Sequence, residues 1–229
     1  MEPKPAQVIE VFADIWCPFT HVGLKAVAEQ RQVRGRADVP IWVRSWPLEW
    51  VNGRAMDPSA ALAHAKELRE QVSPELFSGL DASRFPRTTL PLLALAAEAY
   101  KVGPAVGESL SFEVRDALFE RGLDVADPGT LIEMAASFGL KAPEPDDYAT
   151  VVAEWKEGRA RGVLGSPHFL CGASSVFCPS LDISSKSAGG GKAIRRNFGR
   201  LGAFLDECFS TAAGDADKTS GGTERNSSE

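Results

Sequence analysis

The chain has 229 residues, 44% of them hydrophobic, and a formal net charge of −6. This length and composition suffice for a full core, organised as one domain with an insertion or as two small domains. The acidic balance argues against a general nucleic-acid binder, and no run of about 18 apolar residues is present to span a bilayer. The polar, proline-rich start at Met1–Gln7 is unlike a signal peptide, so we expect a cytoplasmic protein that acts on a small partner.

The first predicted element is a buried strand that ends shortly before a cysteine. Its apolar and mostly β-branched run consists of Val8, Ile9, Val11 and Phe12. A helix pattern follows from His21 to Arg34, so Cys17 lies where a strand turns into a helix, and Pro18 suits the first helical turn. The free amides and the dipole of that turn favour the thiolate, which predicts a reactive Cys17 with a lowered pKa. The alternative is a buried structural cysteine.

A second strand is predicted at Val39–Trp46, which completes a strand–helix–strand unit. From Asp57 the pattern is helical for about a hundred residues, up to a last helix at Tyr148–Arg161. Two of these helices begin at Asp-Pro pairs, Asp57-Pro58 and Asp127-Pro128, in which the aspartate caps the helix and the proline takes its first position. The sequence therefore predicts an all-helical subdomain.

Strand character returns in the last third of the chain. We predict a hairpin of His168–Cys171 and Ser175–Cys178, followed by a helix at Lys192–Phe209 with a clear apolar stripe. Alternation along the strand should bury one of His168 and Phe169 in the core and turn the other towards a cleft or solvent. Beyond Thr211 the residues are small, polar or charged, which predicts disorder.

The four cysteines have no spacing typical of zinc ligands or of a disulfide framework. Cys171 and Cys178 would lie diagonally on the hairpin, about 7 Å apart, which is too far for an unstrained disulfide. We therefore expect both as free thiols and Cys208 as an apolar core residue. With only three histidines in the chain, no metal site is expected.

Positive charge is concentrated near the start of the last predicted helix, at Lys192, Arg195, Arg196 and Arg200. A solvated helix face is one interpretation, and an anion site for a carboxylate-bearing ligand is the other. The glycines at 189–191 lack the spacing of a phosphate loop, so nucleotide binding is not expected.

Three stretches of this sequence resemble the DsbA-like family of thioredoxin-fold proteins. Asp14–Gly23 is similar to the family's Asp-x-x-Cys-Pro-x-x-x-x-Gly, Gly162–Phe169 to its Gly-Val-x-Gly-x-Pro-x-Phe, and Arg121–Leu140 to part of its helical insertion. The resemblance covers most of the chain. It is strongest to the branch that contains FrnE-type oxidoreductases, 2-hydroxychromene-2-carboxylate isomerases and kappa-class glutathione transferases.

The resemblance implies an α/β, thioredoxin-like fold with a large all-helical insertion between the βαβ half and the ββα half. Residues 7–56 and 162–210 would form the discontinuous thioredoxin-like domain, residues 57–161 the insertion, and residues 211–229 a disordered tail. It also implies a cis Ser166–Pro167 bond that faces the cysteine, where the Ser166 backbone can pair with an extended thiol substrate.

The same resemblance implies Cys17 as the catalytic residue. The substrate-binding residues that it implies are Trp16, Pro18, Phe19, Thr20, His21, Trp46, Ser166 and Pro167. Trp16 and Trp46 would lie in the core or line the cleft. His21, four residues after Cys17, would approach the sulfur from the next turn as a base or a cation, and a helix-surface histidine is the alternative.

One departure from the family pattern concerns Thr20. The dithiol branch has a second cysteine at this position, so a mixed disulfide at Cys17 would have no adjacent thiol to resolve it. The isomerase and kappa branch, conversely, usually has serine where this chain has Cys17.

Three functions are therefore open. The first is a monothiol DsbA-like thiol–disulfide oxidoreductase that forms a mixed disulfide through Cys17. The second is a glutathione-type transferase or isomerase in which Cys17, Thr20 and Ser166 position a bound thiol, and the third is a non-catalytic thiol-binding module. No tightly bound cofactor is expected, and a glutathione-like thiol is a candidate co-substrate. The expected partner is a small thiol or disulfide rather than nucleic acid or a membrane, and a homodimer is left open.

Overall fold

The structure is a computed structural model that describes residues 7–144, 146–185 and 191–210. The predicted disordered tail and part of the glycine run at 189–191 lie outside these residues. The elements, in chain order, are β1 (Ile9–Ala13), α1 (Pro18–Val33), β2 (Ile41–Ser45), α2 (Leu48–Asn52), α3 (Pro58–Gln71), α4 (Leu90–Val102), α5 (Pro104–Phe119), α6 (Pro128–Ser137), α7 (Ala149–Ala160), β3 (His168–Cys171), β4 (Ser174–Phe177), β5 (Leu181–Ser185), β6 (Lys192–Arg196) and α8 (Phe198–Ser210). Among the described residues, no helix is both long enough and apolar enough to cross a membrane.

A four-stranded sheet in the order β2-β1-β3-β4 forms the centre of the fold. β1 pairs with β2 in parallel, and β3 runs antiparallel to both β1 and β4. One face packs against α1 and α8 through a buried cluster that includes Val11, Val27, Phe169 and Phe204. The other face carries Phe12, which packs with Trp46. The predicted α/β class, with a βαβ half followed by a ββα half, is confirmed.

The segment between the two halves is helical, as the sequence predicts. Its described residues, 57–144 and 146–161, contain no strand. The side chain of Asp57 accepts a hydrogen bond from the Ser59 amide at the start of α3, and that of Asp127 caps α6 through the Thr130 amide. The Asp-Pro pairs therefore act as helix starts for the reason that predicted them.

The predicted helix at Lys192–Phe209 is wrong over its first part. Lys192–Arg196 is a strand, β6, which pairs antiparallel with the unpredicted strand β5, and α8 begins only at Phe198. The spacing of Ile194 and Phe198 fits a helix, but Ile194 also fits the two-residue period of a strand. Because the segment pairs with β5, it forms a strand and not the start of the helix.

The outer edge of β6 is covered by side chains from α3. The Gln71 amide group donates to the Lys192 carbonyl at 3.1 Å and accepts from the Ile194 amide at 3.0 Å. The Glu67 carboxylate accepts from the Lys192 amide at 2.8 Å. Two side chains one helical turn apart therefore tie the insertion to the small sheet.

A disulfide joins Cys171, at the end of β3, to Cys208 in α8, with their Cα atoms 5.3 Å apart. The prediction that Cys171 is a free thiol is therefore wrong, whereas Cys208 is a buried core residue, as predicted, that also forms this disulfide. The cause is the packing of α8 against the sheet, which brings together two residues 37 positions apart. Cys17 and Cys178 are the free cysteines of the described chain. Because buried disulfides are more usual in oxidising compartments, the cytoplasmic location stays a prediction.

Candidate active site

Cys17 occupies the N-cap position of α1, directly after the turn that follows β1. Its backbone is extended, with φ −80° and ψ 109°, and Pro18 takes the first helical turn. Its carbonyl oxygen accepts hydrogen bonds from the amides of Thr20 and His21. The strand before Cys17 and the proline after it predict that this sulfur lies at the start of a helix, and the structure contains both features.

The loop before β3 lies directly against this cysteine. The Ser166–Pro167 bond is cis, and the Cys17 thiol donates to the Ser166 carbonyl oxygen at 3.1 Å. The hydroxyl groups of Thr20 and Ser166 are hydrogen-bonded at 2.8 Å. A methyl group placed on Gly23 would lie 3.4 Å from Pro167 Cγ, so the loop packs against the first turns of α1. Residues almost 150 positions apart in the chain thus form one site.

The electrostatics of Cys17 differ from the sequence-based prediction. Burial raises the pKa of the Cys17 thiol, although hydrogen bonds from the Thr20 hydroxyl and amide and from the Ser166 hydroxyl act to lower it. The side chain is only 4% exposed. Its thiol also donates to a carbonyl oxygen, and this hydrogen bond favours the neutral form. The predicted lowering of the pKa is therefore wrong, because desolvation outweighs the helix N-terminus.

Asp14 organises the turn that carries Cys17, a role that the sequence reasoning missed. Its fully buried carboxylate accepts hydrogen bonds from the Trp16 amide (3.1 Å), the Leu48 amide (2.5 Å) and the Thr89 hydroxyl (2.7 Å). Its own amide donates to the Ser166 hydroxyl at 2.9 Å. An acidic residue between a buried strand and the cysteine was the available signal. Asp14 thus connects the cysteine turn with α2, α4 and the cis-proline loop.

The buried Arg115 of α5 lies near this carboxylate. Burial raises the pKa of Asp14, and the positive charge of Arg115 acts in the opposite direction. Burial likewise lowers the pKa of Arg115, to about 10. The guanidinium donates to the Ser111 carbonyl at 2.7 Å and to the Asp14 carbonyl at 3.4 Å. Both side chains are buried, and the attraction between them opposes the shift that burial produces in the pKa of each.

Replacement of Asp14 by alanine is expected to lower the free energy of unfolding by about 3 kcal/mol, because three buried donors lose their acceptor and Arg115 loses a compensating charge. Urea denaturation monitored by tryptophan fluorescence measures the change. Asp57→Ala is the matched control, since it removes an exposed capping carboxylate and should cost about 1 kcal/mol. Equal losses in the two variants would contradict the role assigned to Asp14.

The aromatic residues of the predicted site divide into buried and accessible ones. Trp16 is fully buried, and its indole N–H donates to the Pro86 carbonyl at 3.0 Å. Trp46 is buried edge-on against Phe12. Phe19 is partly exposed, with its ring centre 5.3 Å from that of His64. The structure therefore places both tryptophans in the core, whereas Phe19 can meet a ligand.

His21 contacts the insertion. Its imidazole Nε2 lies 2.7 Å from the Glu120 carboxylate, and its ring packs on Phe77 and Phe119. Burial lowers the pKa of His21. Burial acts to raise the pKa of Glu120, but hydrogen bonds from His21 and from the amides of residues 77 and 78 lower it to about 2. This geometry assigns His21 to the packing between α1 and α5 and does not support a role as the base for Cys17.

His168 supports the cis-proline loop from inside. Its Nδ1 accepts from the Leu164 amide at 3.0 Å, and its Nε2 lies 2.9 Å from the Ser175 hydroxyl. His168 and Phe169 are both buried, so the prediction that one of them faces a cleft or solvent is wrong. Hydrogen bonds at both ring nitrogens make burial of this imidazole acceptable.

Two arginines of the predicted anion site, Arg196 and Arg200, bind backbone carbonyls instead. Arg196 donates to the Val72 carbonyl at 2.7 Å, and Arg200 donates to those of Cys178 and Pro179 at 2.9 and 3.3 Å. Arg200 also pairs with Asp182. These contacts do not support a carboxylate site. In the part of the chain that the structure describes, no group of three or more His, Cys, Asp or Glu residues is placed to hold a metal.

Comparison with known proteins gives structural matches. No family profile and no curated protein matches the chain. A probable DsbA oxidoreductase from Streptomyces coelicolor is similar with a TM-score of 0.57 and 25% identity, covering 74% of this chain and 82% of that one. A 2-hydroxychromene-2-carboxylate isomerase has a TM-score of 0.54 and 10% identity over 74% of this chain and 88% of that one. The cytosolic disulfide reductase DsbM from Pseudomonas aeruginosa, solved with GSH, has a TM-score of 0.54 and 14% identity over 87% and 98%.

Proposed function

Because the chain has the fold of the DsbA-like thioredoxin family, we propose that it is a thiol–disulfide oxidoreductase whose Cys17 forms a mixed disulfide with its substrate. The observation that carries the proposal is the contact of the Cys17 sulfur with the Ser166 carbonyl at the cis-proline loop. A free thiol at a helix N-cap beside an irregular loop segment is placed for attack on an extended disulfide substrate.

The exchange begins when the Cys17 thiol loses its proton to solvent. The Cys17 thiolate then attacks one sulfur of the substrate disulfide. A new S–S bond forms, the substrate S–S bond breaks, and the second substrate sulfur leaves as a thiolate that takes up a proton. Burial raises the pKa of Cys17, and the hydroxyl of Thr20, in place of a second cysteine, acts in the opposite direction and favours the ionised sulfur.

The substrate is proposed as a small disulfide of the glutathione type, with no tightly bound cofactor. The division of the chain into a thioredoxin-like domain, residues 7–56 and 162–210, and a helical insertion, residues 57–161, belongs to the same proposal. It is supported by the central sheet, whose four strands all lie outside the insertion.

A thiol-dependent transferase or isomerase is the second candidate. The observation that favours it is the neutral, buried state of the Cys17 thiol together with the hydroxyl pair of Thr20 and Ser166. Such a site can bind a thiol without exchanging with it. Glutathione that binds in calorimetry, with no oxidised glutathione consumed, would favour this candidate over the oxidoreductase.

The test is the reaction with oxidised glutathione, followed as the loss of the Cys17 thiol by rapid alkylation and peptide mass mapping. Because burial raises the pKa of Cys17, we expect the initial rate to rise roughly tenfold per pH unit between about pH 7 and pH 9. Cys17 should react before Cys178, whose pKa burial and the nearby Cys17 thiol raise to about 12. A rate independent of pH in this range, or modification of Cys178 first, would contradict the proposal.

A further inference from the structure

The second free thiol of the chain lies at the same edge of the sheet as Cys17. Phe12, His168 and Phe177 face one another across β1, β3 and β4. Pro167 comes directly before His168, the first residue of β3, and Cys178 comes directly after Phe177, the last residue of β4. Both therefore lie one residue beyond this row, at the same edge of the sheet. The chain that leaves β1 beyond the same row leads to Cys17. The topology thus places both free thiols at one end of the sheet, on either side of the cis-proline loop.

Hydrogen bonds attach both cysteines to the same dipeptide. The Cys17 thiol donates to the Ser166 carbonyl at 3.1 Å, and the Cys178 amide donates to the Pro167 carbonyl at 3.0 Å. The segment after Cys178 also reaches α1, because a methyl group placed on Gly23 would lie 3.6 Å from the Ser180 hydroxyl oxygen. The two cysteines are therefore bound to consecutive carbonyl groups of one short loop.

The side chain of Cys178 points into the molecule. It is 2% exposed and belongs to the same apolar cluster as Trp16, which precedes Cys17, and Val22, which lies in α1 five residues after it. Burial first, and then the charge of Cys17, raises the pKa of Cys178 to about 12, so each thiol lies within electrostatic range of the other. When Cys17 is in a mixed disulfide it carries no charge, and this second influence disappears.

Cys178 also lies in a part of the backbone that belongs to no strand. β4 ends at Phe177 and β5 begins at Leu181. Cys178 itself adopts a left-handed conformation with φ 46°, and Arg200 holds its carbonyl oxygen at 2.9 Å. These hydrogen bonds hold the backbone of Cys178, and the three-residue connection lies outside both sheets. A turn of the Cys178 side chain towards Cys17 therefore breaks no strand pairing.

We infer that Cys178 is the resolving thiol of this site, in place of the second cysteine that Thr20 replaces. This inference rests on the proposed function, because it requires a mixed disulfide at Cys17. The Cys178 thiolate attacks the Cys17 sulfur, a Cys17–Cys178 bond forms, and the bond to the substrate sulfur breaks. The substrate thiolate leaves and takes up the proton that Cys178 released. The protein has then lost two hydrogens, and the substrate disulfide has become two thiols.

The experiment treats the reduced form of Cys17 and Cys178 with oxidised glutathione, quenches samples in acid and measures the intact mass. In the wild type the adduct of one glutathione should appear and then be replaced by protein without glutathione and two hydrogens lighter. In Cys178→Ser and Cys178→Ala the adduct should last at least about tenfold longer, because the internal thiol acts at high effective concentration. Thr20→Cys combined with Cys178→Ser is the positive control, since its new thiol stands one helical turn from Cys17.

Chymotryptic mapping identifies the new bond. Cleavage after Phe177 separates Cys171 from Cys178, so a peptide pair that joins Cys17 to Cys178 is distinct from one made by exchange with the Cys171–Cys208 disulfide. Equal adduct lifetimes in the wild type and both Cys178 variants would overturn the inference and leave the proposed function intact. A bond from Cys17 to Cys171 or Cys208 would also overturn it. Absence of any Cys17 adduct in the Cys178 variants would reject the proposed function itself.

Discussion

Replacement of Cys17 by serine is expected to lower the initial rate of exchange with oxidised glutathione by roughly a thousandfold or more, down to the background of the other thiols. A serine hydroxyl cannot form a mixed disulfide with the substrate. It is also far less acidic than a thiol. The rate is measured as the release of reduced glutathione per protein molecule.

The fold should survive this substitution, because one sulfur atom is exchanged for one oxygen atom in a position that already donates to the Ser166 carbonyl. An unchanged far-ultraviolet circular dichroism spectrum and a melting temperature within a few degrees of the wild type would exclude unfolding as the cause. A variant that retains the wild-type rate would show that the reactive sulfur lies elsewhere.

Loss of the Cys171–Cys208 disulfide is expected to lower the free energy of unfolding by about 4 kcal/mol, since the bond closes a loop between residues 37 positions apart. The variant Cys208→Ala removes it at the side of α8. Guanidinium denaturation of the wild type and the variant, each with and without a strong reductant, measures the effect.

The reductant is the internal control of this measurement. Reduction should lower the free energy of unfolding of the wild type by about 4 kcal/mol. It should leave the free energy of unfolding of Cys208→Ala unchanged. Below its melting temperature the variant should keep the initial exchange rate, because Cys17 and the loop at Ser166 are unaltered. If reduction leaves the stability of the wild type unchanged, the two cysteines are not joined in solution.

Much of the fold could be predicted from local signals. The apolar run before Cys17, the proline after it and the Asp-Pro helix starts are determined by neighbours in the sequence, and the structure contains the corresponding elements. The resemblance of two segments to the DsbA-like family also predicted that Cys17 lies beside the loop at Pro167. The structure places these segments in contact.

The features that the sequence did not predict all depend on distant contacts. The disulfide requires α8 to lie against β3, and β6 requires a partner strand whose own pattern is weak. The raised pKa of Cys17 and the position of Asp14 follow from burial by the insertion and the cis-proline loop. Burial is a property of the assembled fold, so a helix N-terminus by itself overstates the acidity of a thiol.

The side chains that α3 places along β6 also affect how separate copies of the chain meet in concentrated solution. A two-stranded sheet has two open edges, and an open edge is a template for another strand. Gln71 presents an amide that donates to Lys192 and accepts from Ile194 in the manner of a neighbouring backbone. Glu67 adds a negative charge beside it. A third chain segment is thereby kept from adding to this edge, so the insertion helix protects the protein against edge-to-edge aggregation.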